Sequence, residues 1–64
     1  MPDGGEDPIR KLRHDLSNPL AAILAETQIL LLSPEKYDPE TVAGLKQIEA
    51  LSRKMRGMLE ALDR

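Results

Sequence analysis

Cysteine is absent from this 64-residue sequence, and Tyr37 is its single aromatic residue. The missing thiols exclude disulfide bridges and thiolate zinc sites, and one histidine without clustered acids argues against any metal site. A single ring also excludes a large aromatic core. A chain this short buries only about 60% of the surface that it exposes when unfolded, so its core is marginal and self-association is the remaining stabiliser. We therefore predict one small domain that forms an oligomer.

No apolar stretch is long enough to span a membrane, and no signal-peptide pattern opens the chain. The formal net charge is −2, with acids and bases interspersed, so the basic footprint of a nucleic-acid-binding protein is missing too. The glycines fit neither a P-loop nor a dinucleotide fingerprint, so the chain has no evident means of binding ATP alone. These absences predict a cytoplasmic chain that contacts neither nucleic acid nor membrane.

Two helical segments account for most of the sequence. Asp7-Pro8 and Asp38-Pro39 each place an acidic N-cap before a proline at the first helical position, and Ser33-Pro34 ends the first segment. We predict four segments in chain order: a flexible leader at 1–7, a helix at about 8–32, a turn at 33–38 and a helix at about 39–63.

Apolar residues recur along both segments at the three- and four-residue spacing of an amphipathic helix. The two stripes are Ile9, Leu12, Leu16, Leu20, Ile23, Thr27 and Leu30, then Leu45, Ile48, Ser52, Met55, Leu59 and Leu62. We expect a lone hairpin to leave four flanking residues uncovered, namely Leu24, Leu31, Leu51 and Met58. Another domain could cover them, but we favour a second copy. The predicted fold is all-α, an antiparallel helical hairpin dimerising into a four-helix bundle.

The heptapeptide His14-Asp15-Leu16-Ser17-Asn18-Pro19-Leu20 holds the candidate chemistry. At 100° per residue, His14 falls about 160° from the centre of the first stripe, and Asn18 also lies outside. A neutral imidazole is a nucleophile toward phosphoryl groups. Asp15 is suited to orient that ring as a general base, and Asn18 to position a water molecule. Pro19 cannot donate to the Asp15 carbonyl, which predicts a bend after the histidine.

This heptapeptide resembles the H-box of sensor histidine kinases, commonly written H-[ED]-x-x-[TN]-P-L, at every fixed position. Residues 8 to 63 resemble the dimerisation and histidine phosphotransfer domain of that family, because hairpin length and turn position also agree. The resemblance implies a homodimeric four-helix bundle that is part of a protein-histidine kinase in two-component signalling. It implies that His14 is the phosphoacceptor, that Asp15 assists it, and that Asn18 supports dephosphorylation of the partner.

The resemblance also implies two further partners. A separate catalytic domain, which binds ATP and Mg²⁺, would phosphorylate His14, and the receiver domain of a response regulator would take the phosphoryl group onto its own aspartate. The chain itself would then hold no cofactor and no metal. Two alternatives remain open: a purely structural helical-hairpin dimerisation module, and a histidine phosphotransfer protein that relays between receivers.

Overall fold

The computed structural model describes residues 7–62, which form two helices and a short connection. Helix α1 spans Pro8–Leu30, helix α2 spans Pro39–Ala61, and a single 3-10 turn, η1, spans Pro34–Lys36 between them. Within residues 7–62 there is no strand, and α2 packs back along α1. The prediction of an all-α helical hairpin is confirmed.

Capping fixes the start of each helix as the sequence predicted. The Asp7 carboxylate accepts a hydrogen bond from the Ile9 amide at 3.0 Å, and the Asp38 carboxylate accepts one from the Thr41 amide at 2.7 Å. Each aspartate thereby satisfies a backbone donor that has no partner within its helix. Both helices therefore begin at the prolines that the caps precede.

The first helix ends two residues earlier than predicted. Leu31 and Leu32 form a turn, in which the Leu32 amide donates to the Ile29 carbonyl at 3.2 Å. This bond spans three residues rather than four, so the chain tightens after Leu30 instead of continuing as α-helix. Residues 1–6 of the predicted leader and residues 63–64 lie outside the described part of the chain.

The cap of α2 makes the stability of the hairpin depend on pH. The Thr41 side chain, and then its backbone amide, hold the pKa of Asp38 below its usual value of 3.8. A lowered pKa in the folded state means that the cap contributes fully above pH 3.8 and is lost as the pH falls through the folded-state pKa.

We expect Asp38→Ala to lower the unfolding midpoint at pH 7, and this difference from the wild type to shrink below pH 3.8. Thermal unfolding followed by circular dichroism at pH 7 and pH 3 measures it. Asp38→Asn, which keeps an acceptor but does not titrate, is the control, and a difference that stays constant with pH would contradict the assignment.

The seam between the helices is small. Its buried residues are Leu20, Leu24 and Thr27 on α1 and Ser52 and Leu59 on α2. The Thr27 hydroxyl donates to the Ile23 carbonyl at 2.7 Å, so its polar group is satisfied inside the seam. Burial of the three leucines contributes roughly 6 kcal/mol at about 2 kcal/mol each, so the apolar core of a single hairpin is small.

The structure corrects the predicted rotation of α1. We expected Leu24 and Leu31 to be uncovered, but Leu24 is only 5% exposed and Leu31 is half-buried. Leu16 and Ile23, between which the sequence placed the centre of the buried stripe, are instead 43% and 49% exposed. On α2, Leu51 and Met58 are exposed, as predicted, but Ile48, Met55 and Leu62, which the sequence placed in the buried stripe, are exposed as well.

Ten of the twelve large hydrophobic residues that are exposed in the described part of the chain form a second row on each helix, and the other two are Ile29 and Leu32. Ile23 directly precedes the buried Leu24, and on α2 Leu51 directly precedes the buried Ser52. Each exposed row is thus turned by about 100° from its seam in the same sense. Two antiparallel helices that face each other are related by a two-fold axis perpendicular to the plane that contains both helix axes. This axis maps each side of the hairpin onto itself, so equal turns on the two helices bring both rows to the same side. We call this side the apolar face. Its ten residues, each 41–60% exposed, are Ile9, Leu12, Leu16, Ile23, Leu30, Ile48, Leu51, Met55, Met58 and Leu62.

Candidate functional site

His14 lies on the side of the hairpin opposite the apolar face. On α1, Ile23 of the apolar face comes one residue before the buried Leu24, whereas His14 comes one residue after Arg13, which is half-buried in the seam. Because each step along a helix turns the side chain by about 100°, His14 is turned from the seam in the direction away from the apolar face. His14 is accordingly exposed, as the sequence predicted, and a partner seated on the apolar face would leave it accessible.

The histidine lies in a shallow polar depression on α1. Besides His14 and Ser17, the depression is lined by three basic and two acidic side chains: Arg10, Lys11, Arg13, Asp7 and Asp15. The Ser17 hydroxyl donates to the Arg13 carbonyl at 2.7 Å, which holds this short side chain against the helix. The site is therefore open to solvent, rich in charge and clear of bulky apolar groups.

The Asp15 carboxylate is engaged by a lysine. Lys11 Nζ donates to Asp15 Oδ2 at 3.1 Å, across one turn of α1. Within residues 7–62 no hydrogen bond joins Asp15 to His14, and consecutive helical residues do not face each other. The role of Asp15 in orienting the imidazole stays a prediction, and it requires the carboxylate to exchange its present partner. Sequence reasoning missed this pair, although the four-residue spacing of Lys11 and Asp15 signals it.

Asn18 lies one turn after His14 and is exposed on the same side of the hairpin. Pro19 follows inside α1, so the Asp15 carbonyl lacks the amide donor that a helix normally supplies four residues later. Two exposed alanines, Ala21 and Ala25, continue this side toward the turn. The surface between His14 and the turn is thus made of short side chains that another protein can approach closely. The bend after His14 and the role of Asn18 stay predictions.

The described residues contain no group of three histidine, cysteine or acidic side chains that could hold a metal ion. Within the same part of the chain, neither helix has the length and apolarity that crossing a bilayer requires.

Comparison of the chain with protein-family models, with curated proteins and with solved structures gives no match. The function therefore rests on the residues and their geometry.

Proposed function

We propose that this chain is the phosphoacceptor and dimerisation domain of a two-component sensor histidine kinase, with His14 as the residue that carries the phosphoryl group. The observation that carries the proposal is the exposure of the chain's single histidine, within an H-box sequence, on the side of a helical hairpin opposite its apolar face. The depression around the ring is lined by three basic and two acidic side chains, and this excess of one positive charge supports a site for an anionic phosphoryl group.

In the proposed reaction, a neutral ring nitrogen of His14 attacks the γ-phosphorus of ATP, and the bond between that phosphorus and the leaving oxygen of ADP breaks. ATP and Mg²⁺ would be held by a separate catalytic domain. The other ring nitrogen keeps its proton, so positive charge builds on the ring and Asp15 would stabilise it. The phosphoryl group would then pass to an aspartate of a receiver domain. Asn18 would position a water molecule when that receiver is dephosphorylated. We propose a cytoplasmic location, where ATP is supplied.

We further propose that two hairpins pair through their apolar faces as a four-helix bundle. Burying a large aliphatic side chain contributes about 2 kcal/mol, so covering ten half-exposed side chains contributes roughly 10 kcal/mol per hairpin and about 20 kcal/mol per dimer. Association costs about 4–15 kcal/mol in lost freedom. The balance favours a dimer, and the three- and four-residue spacing of both exposed rows suits coiled-coil-like packing.

The test is phosphorylation by a catalytic domain. The wild-type chain is incubated with radiolabelled ATP and the purified catalytic domain of a sensor histidine kinase. We expect label on the chain that is lost in acid and retained in base, which is the stability of a phosphorus–nitrogen bond to histidine. An unlabelled chain that is still dimeric would favour the structural alternative, in which the hairpin only dimerises. A chain that is labelled only by a phosphorylated receiver would favour the relay protein.

A further inference from the structure

Before any reaction occurs, the Asp15 carboxylate is paired with the Lys11 ammonium group. The two side chains are joined at 3.1 Å, and they are 64% and 57% exposed. A pair this exposed contributes little to stability because water and salt screen it. Its consequence is instead that Asp15 already has a partner.

Lys11 can reach more than one acceptor. It lies three residues before His14 and four before Asp15, and residues at both spacings are neighbours on a helix surface. Its ammonium group is carried on a flexible four-carbon chain, so it can exchange partners without a change in the backbone. Lys11, His14 and Asp15 also line the same depression. The three groups therefore form one local cluster.

From this geometry we propose that Lys11 is a positioning residue whose ammonium group moves from the Asp15 carboxylate to the phosphoryl oxygens when His14 is phosphorylated. The inference rests on the proposed function of His14. In this proposal, the arrival of the phosphoryl group draws Lys11 away from Asp15 and so frees the carboxylate.

Charge explains the direction of the exchange. When the phosphorus–nitrogen bond forms, the bond from phosphorus to its former partner breaks and the bonding electrons stay with the leaving group. The phosphoryl group brings more than one negative charge and three strong acceptor oxygens, whereas the carboxylate carries one charge. The ammonium group therefore favours the phosphoryl oxygens. The freed Asp15 carboxylate can then accept a hydrogen bond from the other ring nitrogen, which still holds its proton and its positive charge.

Chemical phosphorylation tests the proposal without a kinase. Phosphoramidate transfers its phosphoryl group to an accessible imidazole and releases ammonia, so it modifies His14 in the full chain alone. We expect Lys11→Gln to lower the rate constant about fivefold, the effect of removing one Coulomb interaction of about 1 kcal/mol. Lys11→Arg, which keeps the charge, is expected to stay within about twofold of the wild type. Lys36→Gln removes the same charge from η1, far along the chain, and is expected to leave the rate unchanged.

A second measurement follows the ammonium group itself. Nitrogen-15 resonances of the lysine side chains are recorded before and after phosphorylation of the wild type, and we expect the Lys11 signal to move while the Lys36 signal stays. A fixed Lys11 signal overturns the proposal. Equal slowing by Lys11→Gln and Lys36→Gln also overturns it, because net charge alone would then explain the rate, as does a wild-type His14 that phosphoramidate cannot modify. If ATP and a catalytic domain do not label the chain, the proposed function is contradicted. The phosphoramidate rates and the nitrogen-15 spectra would still test the role of Lys11.

Discussion

Replacing His14 with glutamine is expected to abolish the acid-labile label, lowering phosphorylation by about 100-fold or more, as removal of an attacking group does in other enzymes. Glutamine keeps polarity and similar reach but has no nucleophilic ring nitrogen. His14 is the single histidine in the chain, so no second imidazole can substitute for it. Labelling by radioactive ATP and a catalytic domain, followed by acid and base treatment, measures the effect.

Two controls make this result specific. Circular dichroism and solution mass are expected to be the same for His14→Gln and the wild type, because the exposed ring makes no contact that the seam needs. Ser17→Ala removes the nearest hydroxyl and is expected to keep the label. Label that persists in His14→Gln, or that resists acid in the wild type, would mean that another side chain is the acceptor.

Introducing a charge on the apolar face is expected to break the dimer. Leu51 is 49% exposed in the hairpin, and Leu51→Glu would bury a carboxylate at the centre of the proposed interface. Because the dimer is two-fold symmetric, each substitution acts twice. Each copy loses about 1 kcal/mol of apolar burial and gains a desolvation penalty of about 1 kcal/mol or more, so the dimer loses at least about 4 kcal/mol and its dissociation constant rises by at least about 700-fold.

Ala50→Glu is the matched control, since it places the same charge one residue earlier, next to a half-buried seam residue and on the histidine side of the hairpin. Sedimentation equilibrium over a range of concentrations is expected to give a dimer for Ala50→Glu and a monomer for Leu51→Glu. Because the seam is small, Leu51→Glu is also expected to lose helix content as it dissociates. A wild type that is monomeric at every concentration, or a Leu51→Glu variant that stays dimeric, would contradict the proposed bundle.

The starts of both helices were predictable because local chemistry determines them. Asp7 and Asp38 each cap a helix whose first residue is proline, and the structure shows both bonds. The end of α1 was harder, because Leu31 and Leu32 are good helix formers and nothing before Ser33 signals a stop.

The candidate site shows the same division. The exposure of His14 followed from its distance from the apolar stripe. His14 lies outside both the stripe predicted from the sequence and the seam that the structure shows. The four-residue spacing of Lys11 and Asp15 signals their pairing, but whether two exposed side chains meet depends on their rotamers, which the structure shows.

By itself, the sequence determined that two capped amphipathic helices fold back on each other and display His14, Asp15 and Asn18 in register before Pro19. Only the tertiary structure decided that Leu24 rather than Ile23 meets α2, and hence which side of the hairpin stays apolar. The reason is that the two rows are both hydrophobic and lie only about 100° apart, so helical periodicity predicts a wide stripe without its rotation. The rotation is set by how side chains of α1 and α2 fit together across the seam, a contact between residues far apart in the chain.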